Sequence, residues 1–485
     1  MNIAIRKTPS NPTTPVPGKA PDPVEQRYRA MREYAAEYRR TRTFAPGEFE
    51  GFERKLLELS RDVVRETVAE ELRSADVQAE AIEVEGKTLR RVLHSPQTYM
   101  TAAGPVEVCR WLYKDRRDDE ARAFSPLESR IGIVEGYWTP EAAKQGLWVV
   151  SQMVPQKAEE LFKRVGMMQP SKSSLDRMPK GVSDRWEQDR EQFEAQLREQ
   201  LVIPENATTV AVSIDGVLAP MEGTEPVEKR TRAANEGRLC KGPVGYRECA
   251  VGTLSFCDEQ GNMLSAVRMA RAPESKKVTL KSQVLAEVLG ALERRPDLRV
   301  LKIADAGGDN WEFLGALCPD GEELIDFFHA AEHLHVALTA AYGEGTRETR
   351  YRQEELVDRL RDHADGVDSV IRALAYLSRK HPHSKVLHRE VRYFRNNRGR
   401  MRYAHAIAQG LPIGSGVVEA ACKTLVAQRL KLSGMRWGRG AQAILTTRGW
   451  DQSERFDAAW ALVAATYQLE VSVLAHVVPI KQASR

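Results

Sequence analysis

Two aspartates follow apolar runs that alternate as β-strands do. Residues 208–217 contain the first run, which leads to Asp215, and residues 298–305 form the second, which ends at Asp305. If the two predicted strands are neighbours, about 4.8 Å apart, the two charges repel each other unless cations lie between them. Two divalent ions about 4 Å apart would relieve that repulsion and could hold the attacking and leaving oxygens of a phosphoryl transfer. A turn or a helix cap is the alternative role for either aspartate alone.

A third acid, Glu419, lies near the start of a helix predicted to follow the Gly-Ser-Gly sequence at 414–416. With Ser415 as the N-cap, the reciprocal position of a capping box is Val418, so Glu419 falls one residue too late for that role. Glu419 could instead favour the helix dipole or pair with Lys423, one turn later. The third possibility is that it joins the two aspartates as a metal ligand.

Charge is distributed unevenly along the chain. Residues 379–448 contain fifteen Lys and Arg but only two acids, Glu390 and Glu419, and so carry a formal charge of +13. The whole chain carries +4, so the remaining residues carry −9. A local excess of positive charge repels itself unless a polyanion lies against it, and nucleic acid is therefore the expected partner. A solvated helical face is the alternative.

The composition predicts a folded protein of several units. At 485 residues and 42% hydrophobic, the chain has material for about three folded units. Its apolar runs are shorter than the roughly 20 residues that cross a bilayer, and its first ten residues lack the apolar core of a signal peptide. Six cysteines without a Cys-x-x-Cys pair predict neither a disulfide framework nor a thiolate zinc site. We therefore expect a soluble cytoplasmic protein.

The N-terminal part predicts a tail, helices and a small sheet. Residues 1–24 are rich in proline and predict a flexible tail. The next region, 25–135, contains helical periodicity at about 25–43 and 47–73, and a period near two at 80–114 that predicts a β-meander.

Residues 136–200 predict a helix-turn-helix-like region and a linker helix. Three short helices are expected at 140–154, 156–165 and 171 to about 179, followed by an acid-rich helix at 183–200. The third helix carries the DNA-contact candidates Lys172, Arg177 and Lys180.

From residue 207 the pattern alternates between strand and helix. Three strands, then helix, strand, helix, strand and helix, is the element order of the ribonuclease H-like fold. The predicted class is thus a multidomain α+β protein whose ribonuclease H-like domain has a mixed sheet flanked by helices. We assign this domain to 205–343 and 410–450, a helical insertion to 344–409, and a C-terminal helix and tail to 451–485.

Several segments resemble the DDE transposases of bacterial insertion sequences, specifically the ISKra-type family. They are 213–217 (SIDGV), 304–305 (AD) with 309–311 (DNW), 326–334 (DFFHAAEHL), 412–423 (PIGSGVVEAACK) and 428–437 (QRLKLSGMRW). The resemblance covers roughly residues 98–467 and implies that Asp215, Asp305 and Glu419 are the catalytic acids. Their separations are 90 and 114 residues, and the longer gap accommodates the helical insertion.

The resemblance implies an enzyme that binds double-stranded DNA at element ends, hydrolyses a phosphodiester and transfers the freed strand to target DNA. The three acids would hold two Mg²⁺ ions, with Mn²⁺ as a substitute. Lys423, Arg429, Lys431 and Arg436 would neutralise phosphates, and Trp437 would stack on a base. Bringing two ends together implies a homo-oligomer acting at the bacterial nucleoid.

One departure from the family pattern follows the second aspartate. Family members carry glycine there, whereas this chain has Ala306 before Gly307, and Asp309 becomes a substitute ligand. A second hypothesis is therefore a transposase-derived DNA-binding protein without catalytic activity.

A third hypothesis concerns the run His329-Ala-Ala-Glu332-His333, which has the His-x-x-Glu-His spacing of inverted zinc metallopeptidases. In a transposase, His329 and His333 would orient groups around the metal ligands or contact the scissile strand. Simple packing is the alternative for both histidines.

Overall fold

The computed structural model describes residues 22–118, 120–166, 168–223, 231–232, 235 and 245–474. The predicted tail at 1–24 lies outside these residues except for its last three positions. The chain divides into two units. The first comprises Met1–Ala142, Phe162–Gln169 and Gln468–Arg485, and the second comprises Ala143–Leu161 and Pro170–Tyr467. Within the described residues, no helix combines the length and the apolar character that crossing a bilayer requires.

The first unit contains the two predicted N-terminal helices and the predicted meander. Its elements are α1 (Pro23–Thr41), α2 (Glu48–Ala75), β1 (Ala81–Val84), β2 (Lys87–Thr101), β3 (Gly104–Lys114) and α3 (Pro126–Ile131). The strands pair antiparallel in the order β3-β2-β1, and a fourth strand, Ser472–Val473, pairs with β1. The C-terminal segment is thus not only a helix and a tail, as predicted, because it also completes this sheet.

The predicted helix-turn-helix-like region contains four helices, of which the third ends later and the fourth begins later than predicted. Its helices are α4 (Pro140–Gln152), α5 (Pro155–Val165), α6 (Lys172–Gln188) and α7 (Arg190–Glu199). The prediction that the third helix ends near Pro179 is wrong, because Pro179 lies inside α6. A proline in a helix interior costs about 3 kcal/mol. Burial of one apolar face offsets that cost, through Leu175, Met178, Val182 and Trp186.

The second unit is built on a five-stranded mixed sheet. Its elements up to the helical insertion are β4 (Thr209–Pro220), β5 (Tyr246–Cys257), β6 (Met263–Arg271), α8 (Val278–Arg294), β7 (Arg299–Ala304), α9 (Gly308–Leu317), β8 (Glu322–Ile325) and α10 (Phe327–Tyr342). The strand order is β6-β5-β4-β7-β8, with β4, β7 and β8 parallel and the others antiparallel. The predicted order of strands and helices is therefore present, and helices flank the mixed sheet.

Apolar side chains cover both faces of this sheet. Alternate residues of β5 show the division: Ala250 and Leu254 join the cluster that includes α8 and α10, whereas Cys249 and Val251 join a second cluster. The second cluster receives Val418, Leu425 and Leu445 from the C-terminal helices of the unit. Because both faces are covered, polar side chains can group only at the ends of the strands.

The predicted insertion at 344–409 is helical. It consists of α11 (Arg347–Asp362), α12 (Gly366–Lys380), α13 (Lys385–Asn397) and α14 (Tyr403–Ala408). α10 contacts both α11 and α13, and the apolar cores of the insertion and the sheet are continuous. The chain then enters α15 (Gly416–Ala421), α16 (Gly440–Gln452) and α17 (Phe456–Ala465).

Candidate active site

Asp215 and Asp305 lie at corresponding positions of two adjacent parallel strands. β4 and β7 pair from Thr209 and Arg299 to Val212 and Lys302, and each aspartate lies three residues beyond the last pair. The prediction that Asp215 ends its strand is wrong, because β4 continues alongside β5. Asp215 instead lies where β4 separates from β7, so both partly buried carboxylates reach the same edge of the sheet.

Asn310 joins the two aspartate positions. Its side-chain Nδ2 donates to the Ile214 carbonyl and to Asp305 Oδ1, each at 3.3 Å. The Gly307 amide donates to the same Asp305 oxygen at 3.1 Å, and a Cβ on Gly307 would lie only 3.0 Å from it. A side chain at 307 would therefore crowd this Asp305 oxygen.

The displaced glycine leaves Asp305 in a defined position. Ala306 packs against the apolar core, and the Trp311 indole donates to the Asp305 carbonyl at 2.6 Å. Asp309, the substitute ligand predicted from sequence, is exposed in the first turn of α9. Asp305 is therefore the better placed of the two acids.

Glu419 approaches Asp215 from a helix with a π-helical stretch. α15 continues through a π-helix, Cys422–Ala427, into a last turn. Cys422 lies one turn after Glu419, and its thiol donates to Asp215 Oδ2 at 3.4 Å. π-Helical turns inside α-helices occur frequently at functional sites.

Burial and neighbouring negative charges raise the pKa of Glu419. Burial is the largest cause, followed by the negative charges of Asp326 and Asp215, whereas a hydrogen bond from Ser415 acts in the opposite direction. The Ser415 hydroxyl donates to Glu419 Oε1 at 3.5 Å. Glu419 therefore lies within the electrostatic range of Asp215, as a shared metal site requires.

Asp326 is a fourth carboxylate at this edge, and the sequence analysis did not assign it a role in the site. It directly follows β8, just as Asp305 follows β7, and the last pair of these strands is Ala304 with Ile325. Asp326 is 1% exposed. Its Oδ1 accepts from the His329 amide at 2.7 Å and its Oδ2 accepts from the Ser415 amide. Asp326 thus ties the start of α10 to the start of α15, which carries Glu419.

The carboxylates fit magnesium in chemistry, although they do not form a closed cage. Within the described ranges, no group of three or more His, Cys, Asp or Glu side chains is already arranged as a metal site. Mg²⁺ usually takes one or two carboxylates together with waters and substrate phosphates. Asp305 Oδ2 and Glu419 Oε2 accept no hydrogen bond from the described part of the chain. These two oxygens are therefore available to a metal ion, whereas both oxygens of Asp215 accept hydrogen bonds, from the Gly216 amide and the Cys422 thiol.

His329 and His333 lie on α10 beside this cluster. Glu390 is a fully buried residue of the insertion, and its Oε2 lies 2.6 Å from His333 Nδ1. The His333 ring also stacks on Tyr393 at 3.7 Å between centroids, and burial, followed by the charges of Asp305 and Asp326, raises the pKa of Tyr393. The insertion therefore holds His333 near the carboxylates, and Glu390 is a partner that sequence reasoning missed.

Most of the predicted DNA-contact residues are accessible. Lys172, Arg177, Lys423, Lys431 and Arg436 are exposed. Lys180 is half-buried and pairs with Asp176 at 2.6 Å. Its Cε lies 3.0 Å from the position of a Cβ on Gly440, so α6 lies beside the start of α16.

Arg429 does not have the predicted geometry for a phosphate contact. Arg429 is 2% exposed, and its guanidinium donates to the carbonyls of Val150 and Met153 at 3.1 Å. These carbonyls at the end of α4 lack partners within the helix, so the arginine satisfies them. The Trp437 ring lies 5.0 Å from the Arg429 guanidinium, and its indole donates to the Leu430 carbonyl. The Arg429 side chain is therefore buried inside the protein, whereas Trp437 is half-buried and its stacking on a base stays a prediction.

Arg429 and Arg436 are expected to respond differently to replacement by alanine. Arg429→Ala should lower the free energy of unfolding by about 3 kcal/mol, because it leaves two buried carbonyls without donors. Arg436→Ala should change it by less than about 0.5 kcal/mol. Arg436→Ala should instead weaken DNA binding and reduce the slope of log K against log salt by about 1. Urea unfolding and salt-dependent binding measure the two effects, and equal stability losses would contradict the assignment.

No protein-family model matches this chain, and no curated protein matches it in sequence.

Proposed function

We propose that this protein is a DDE transposase of an insertion sequence, with a ribonuclease H-like catalytic domain. The observation that carries the proposal is the position of Asp215 and Asp305 beyond the paired ends of two adjacent strands, with Glu419 close enough for the charge of Asp215 to act on it. A second support is the +13 charge of residues 379–448, which include Glu419. A polyanionic substrate is attracted to such a segment. The substrate is double-stranded DNA at the element ends and in the target, and the enzyme acts in the bacterial cytoplasm as a homo-oligomer.

The three carboxylates would hold two Mg²⁺ ions, which when bound polarise the attacking water and stabilise the departing 3′ oxygen. Other side chains of the protein position these carboxylates. Asn310 and Gly307 orient Asp305, and the Cys422 thiol orients Asp215. Asp326 fixes the start of the helix that bears Glu419.

A plasmid assay tests this proposal. The probe is supercoiled DNA that carries the coding region with its native flanking sequence, incubated with the full chain and Mg²⁺, Mn²⁺, Ca²⁺ or a chelator. We expect nicks at the ends of the element with Mg²⁺ or Mn²⁺, and none with the chelator. Specific binding without cleavage in any metal would support the DNA-binding protein without activity instead. If the protein neither binds nor cleaves this DNA, the proposal is refuted.

The zinc peptidase has weaker geometric support. Glu332 is largely exposed, and its Oε2 lies 3.8 Å from His329 Nδ1. The contacts of His333 with Glu390 and Tyr393 are explained by packing and hydrogen bonding. Metal analysis of the purified chain together with a casein digestion assay separates the alternatives. Stoichiometric zinc with proteolysis would favour the peptidase.

The raised pKa of Glu419 predicts a pH dependence of cleavage. As the pH falls, Glu419 takes up a proton at a higher pH than an unperturbed glutamate would, and metal binding requires the ionised form. At low Mg²⁺ concentration the rate should therefore decline as the pH falls through this raised pKa. A saturating Mg²⁺ concentration should move the decline to lower pH, because the metal competes with the proton. Nicking rates measured against pH at two Mg²⁺ concentrations test this, and identical profiles would contradict it.

A further inference from the structure

The loop between β6 and α8 contains two consecutive lysines in the left-handed region of backbone conformation. Lys276 has φ 52° and ψ 18°, and Lys277 has φ 55° and ψ 37°. Residues with a Cβ rarely adopt this conformation, which costs roughly 1–2 kcal/mol per residue. Such strain persists where the surrounding structure requires it, and it concentrates at functional sites.

The strained backbone directs Lys277 inward while Lys276 stays exposed. The Lys277 side chain is 18% exposed, and its ammonium lies 2.8 Å from Glu248 Oε1. The same ammonium donates to Asn310 Oδ1 at 3.2 Å. Glu248 itself lies over Gly216, where a Cβ would come within 1.9 Å of its carboxylate oxygen. The glycine after Asp215 thus makes room for the partner of Lys277.

Asn310 connects this ammonium to the catalytic carboxylates. Its other side-chain atom, Nδ2, contacts both Asp305 Oδ1 and the carbonyl of Ile214. Lys277 is therefore separated by one amide group from Asp305 and from the residue before Asp215. Burial is the main cause of the raised pKa of Cys422, whose thiol contacts Asp215, and the positive charge of Lys277 opposes that rise. Lys277 is thus a cation within the carboxylate cluster.

An ammonium has three N–H donors. Two of them are used by Glu248 and Asn310 within the described residues. Phosphodiester cleavage adds negative charge to the non-bridging oxygens in the transition state, and a fixed positive donor at that place accelerates the reaction.

Resting on the proposed function, we propose that Lys277 contacts the scissile phosphate through its remaining N–H donor. In the step that it assists, water attacks phosphorus, the bond from phosphorus to the 3′ oxygen breaks, and solvent receives the water proton and supplies one to the 3′ oxygen. Lys277 keeps its own proton throughout, and it donates a hydrogen bond to a non-bridging oxygen. The substrate group that it recognises is an anionic phosphodiester.

Replacement of Lys277 tests this role against a matched neighbour. Lys276→Ala is the control, because Lys276 has the same charge and the same backbone conformation but is exposed. On the plasmid described above, Lys277→Gln should slow single-turnover nicking about 100-fold. Lys277→Arg should recover part of the rate, since it keeps the charge in a different geometry. Lys276→Ala should stay within about 2-fold of the wild-type rate.

A substrate change separates phosphate contact from support of the fold. After the nick is mapped, a synthetic duplex with an uncharged methylphosphonate at that position removes the oxygen charge that Lys277 would meet. The difference between Lys277→Gln and the wild type should then fall from about 100-fold to below about 5-fold, because the two changes remove the same interaction. DNA affinity measured in Ca²⁺ should be similar for the wild type and all three variants.

The outcomes distinguish this inference from the proposed function. If the wild type nicks the plasmid and Lys277→Gln nicks it equally fast, the role of Lys277 is refuted and the transposase proposal stands. The same conclusion follows if the loss persists unchanged on the methylphosphonate duplex. If the wild type cleaves no DNA in any metal, both proposals fall. Thermal melting of each variant, together with the rate of Lys277→Arg, shows whether the loss of nicking rate in Lys277→Gln arises from unfolding. A loss that arises from unfolding would also refute the phosphate contact.

Discussion

Asp215→Asn is expected to lower the Mg²⁺-dependent cleavage rate by about 10³-fold while leaving DNA binding intact. Asparagine keeps the shape of the side chain but removes the negative charge, and the loss of metal-based charge stabilisation amounts to several kcal/mol. Asp305→Asn and Glu419→Gln should give losses of the same order, because a shared metal site fails when any ligand is neutralised. Single-turnover nicking of the plasmid with its native flanking DNA measures each effect.

Asp309→Asn provides the matched control for this series. Asp309 lies four residues after Asp305 but is exposed in the first turn of α9, so its replacement should leave the rate within about 2-fold of the wild type. A gel-shift assay in Ca²⁺ checks that every variant still binds DNA. Full cleavage activity of any one of the three catalytic variants would remove that residue from the site. Loss of activity in Asp309→Asn would instead indicate that Asp309, and not Asp305, binds the metal.

Asp326→Ala is expected to destabilise the protein by about 3 kcal/mol and to reduce cleavage beyond the effect of unfolding. The N-cap hydrogen bond to the His329 amide contributes about 1 kcal/mol, and the buried charged acceptor of the Ser415 amide contributes about 2 kcal/mol. Without Asp326 the start of α15 loses its tie to α10, and Glu419 loses its position. Urea unfolding gives the stability, and nicking at a temperature where the variant is fully folded gives the rate.

Thr346→Ala is the comparison for Asp326→Ala. Thr346 also caps a helix, α11, through its hydroxyl, which accepts from the Thr349 amide at 3.1 Å, but it lies in the insertion. It should cost about 1 kcal/mol and leave the cleavage rate unchanged in the folded protein. If folded Asp326→Ala cleaves at the wild-type rate, the tie between α10 and α15 does not position Glu419.

Asp215 and Arg429 show how far local sequence patterns extend. The alternation before Asp215 predicts a strand correctly, because burial of one face depends on a period of two. The same pattern does not show that β4 continues to Pro220, since that extension depends on pairing with β5. Arg429 belongs to a basic run and predicts a phosphate contact, yet it is buried against the end of α4. Composition cannot show whether Arg429 contacts a phosphate or is buried, because the carbonyls that bind it are about 280 residues away in the chain.

The sequence by itself determined the order of strands and helices in the second unit, the helical insertion, and Asp215, Asp305 and Glu419 as candidate metal ligands. These features depend on local periodicity and on residue type, which short segments contain in full. Only the tertiary structure decided that Asp326 ties two helices together, that Glu390 reaches His333, and that a strained turn brings Lys277 to Asn310. These contacts join residues 33 to 89 positions apart. They depend on how strands and helices pack, and side-chain packing over such separations leaves no periodic signal in the sequence.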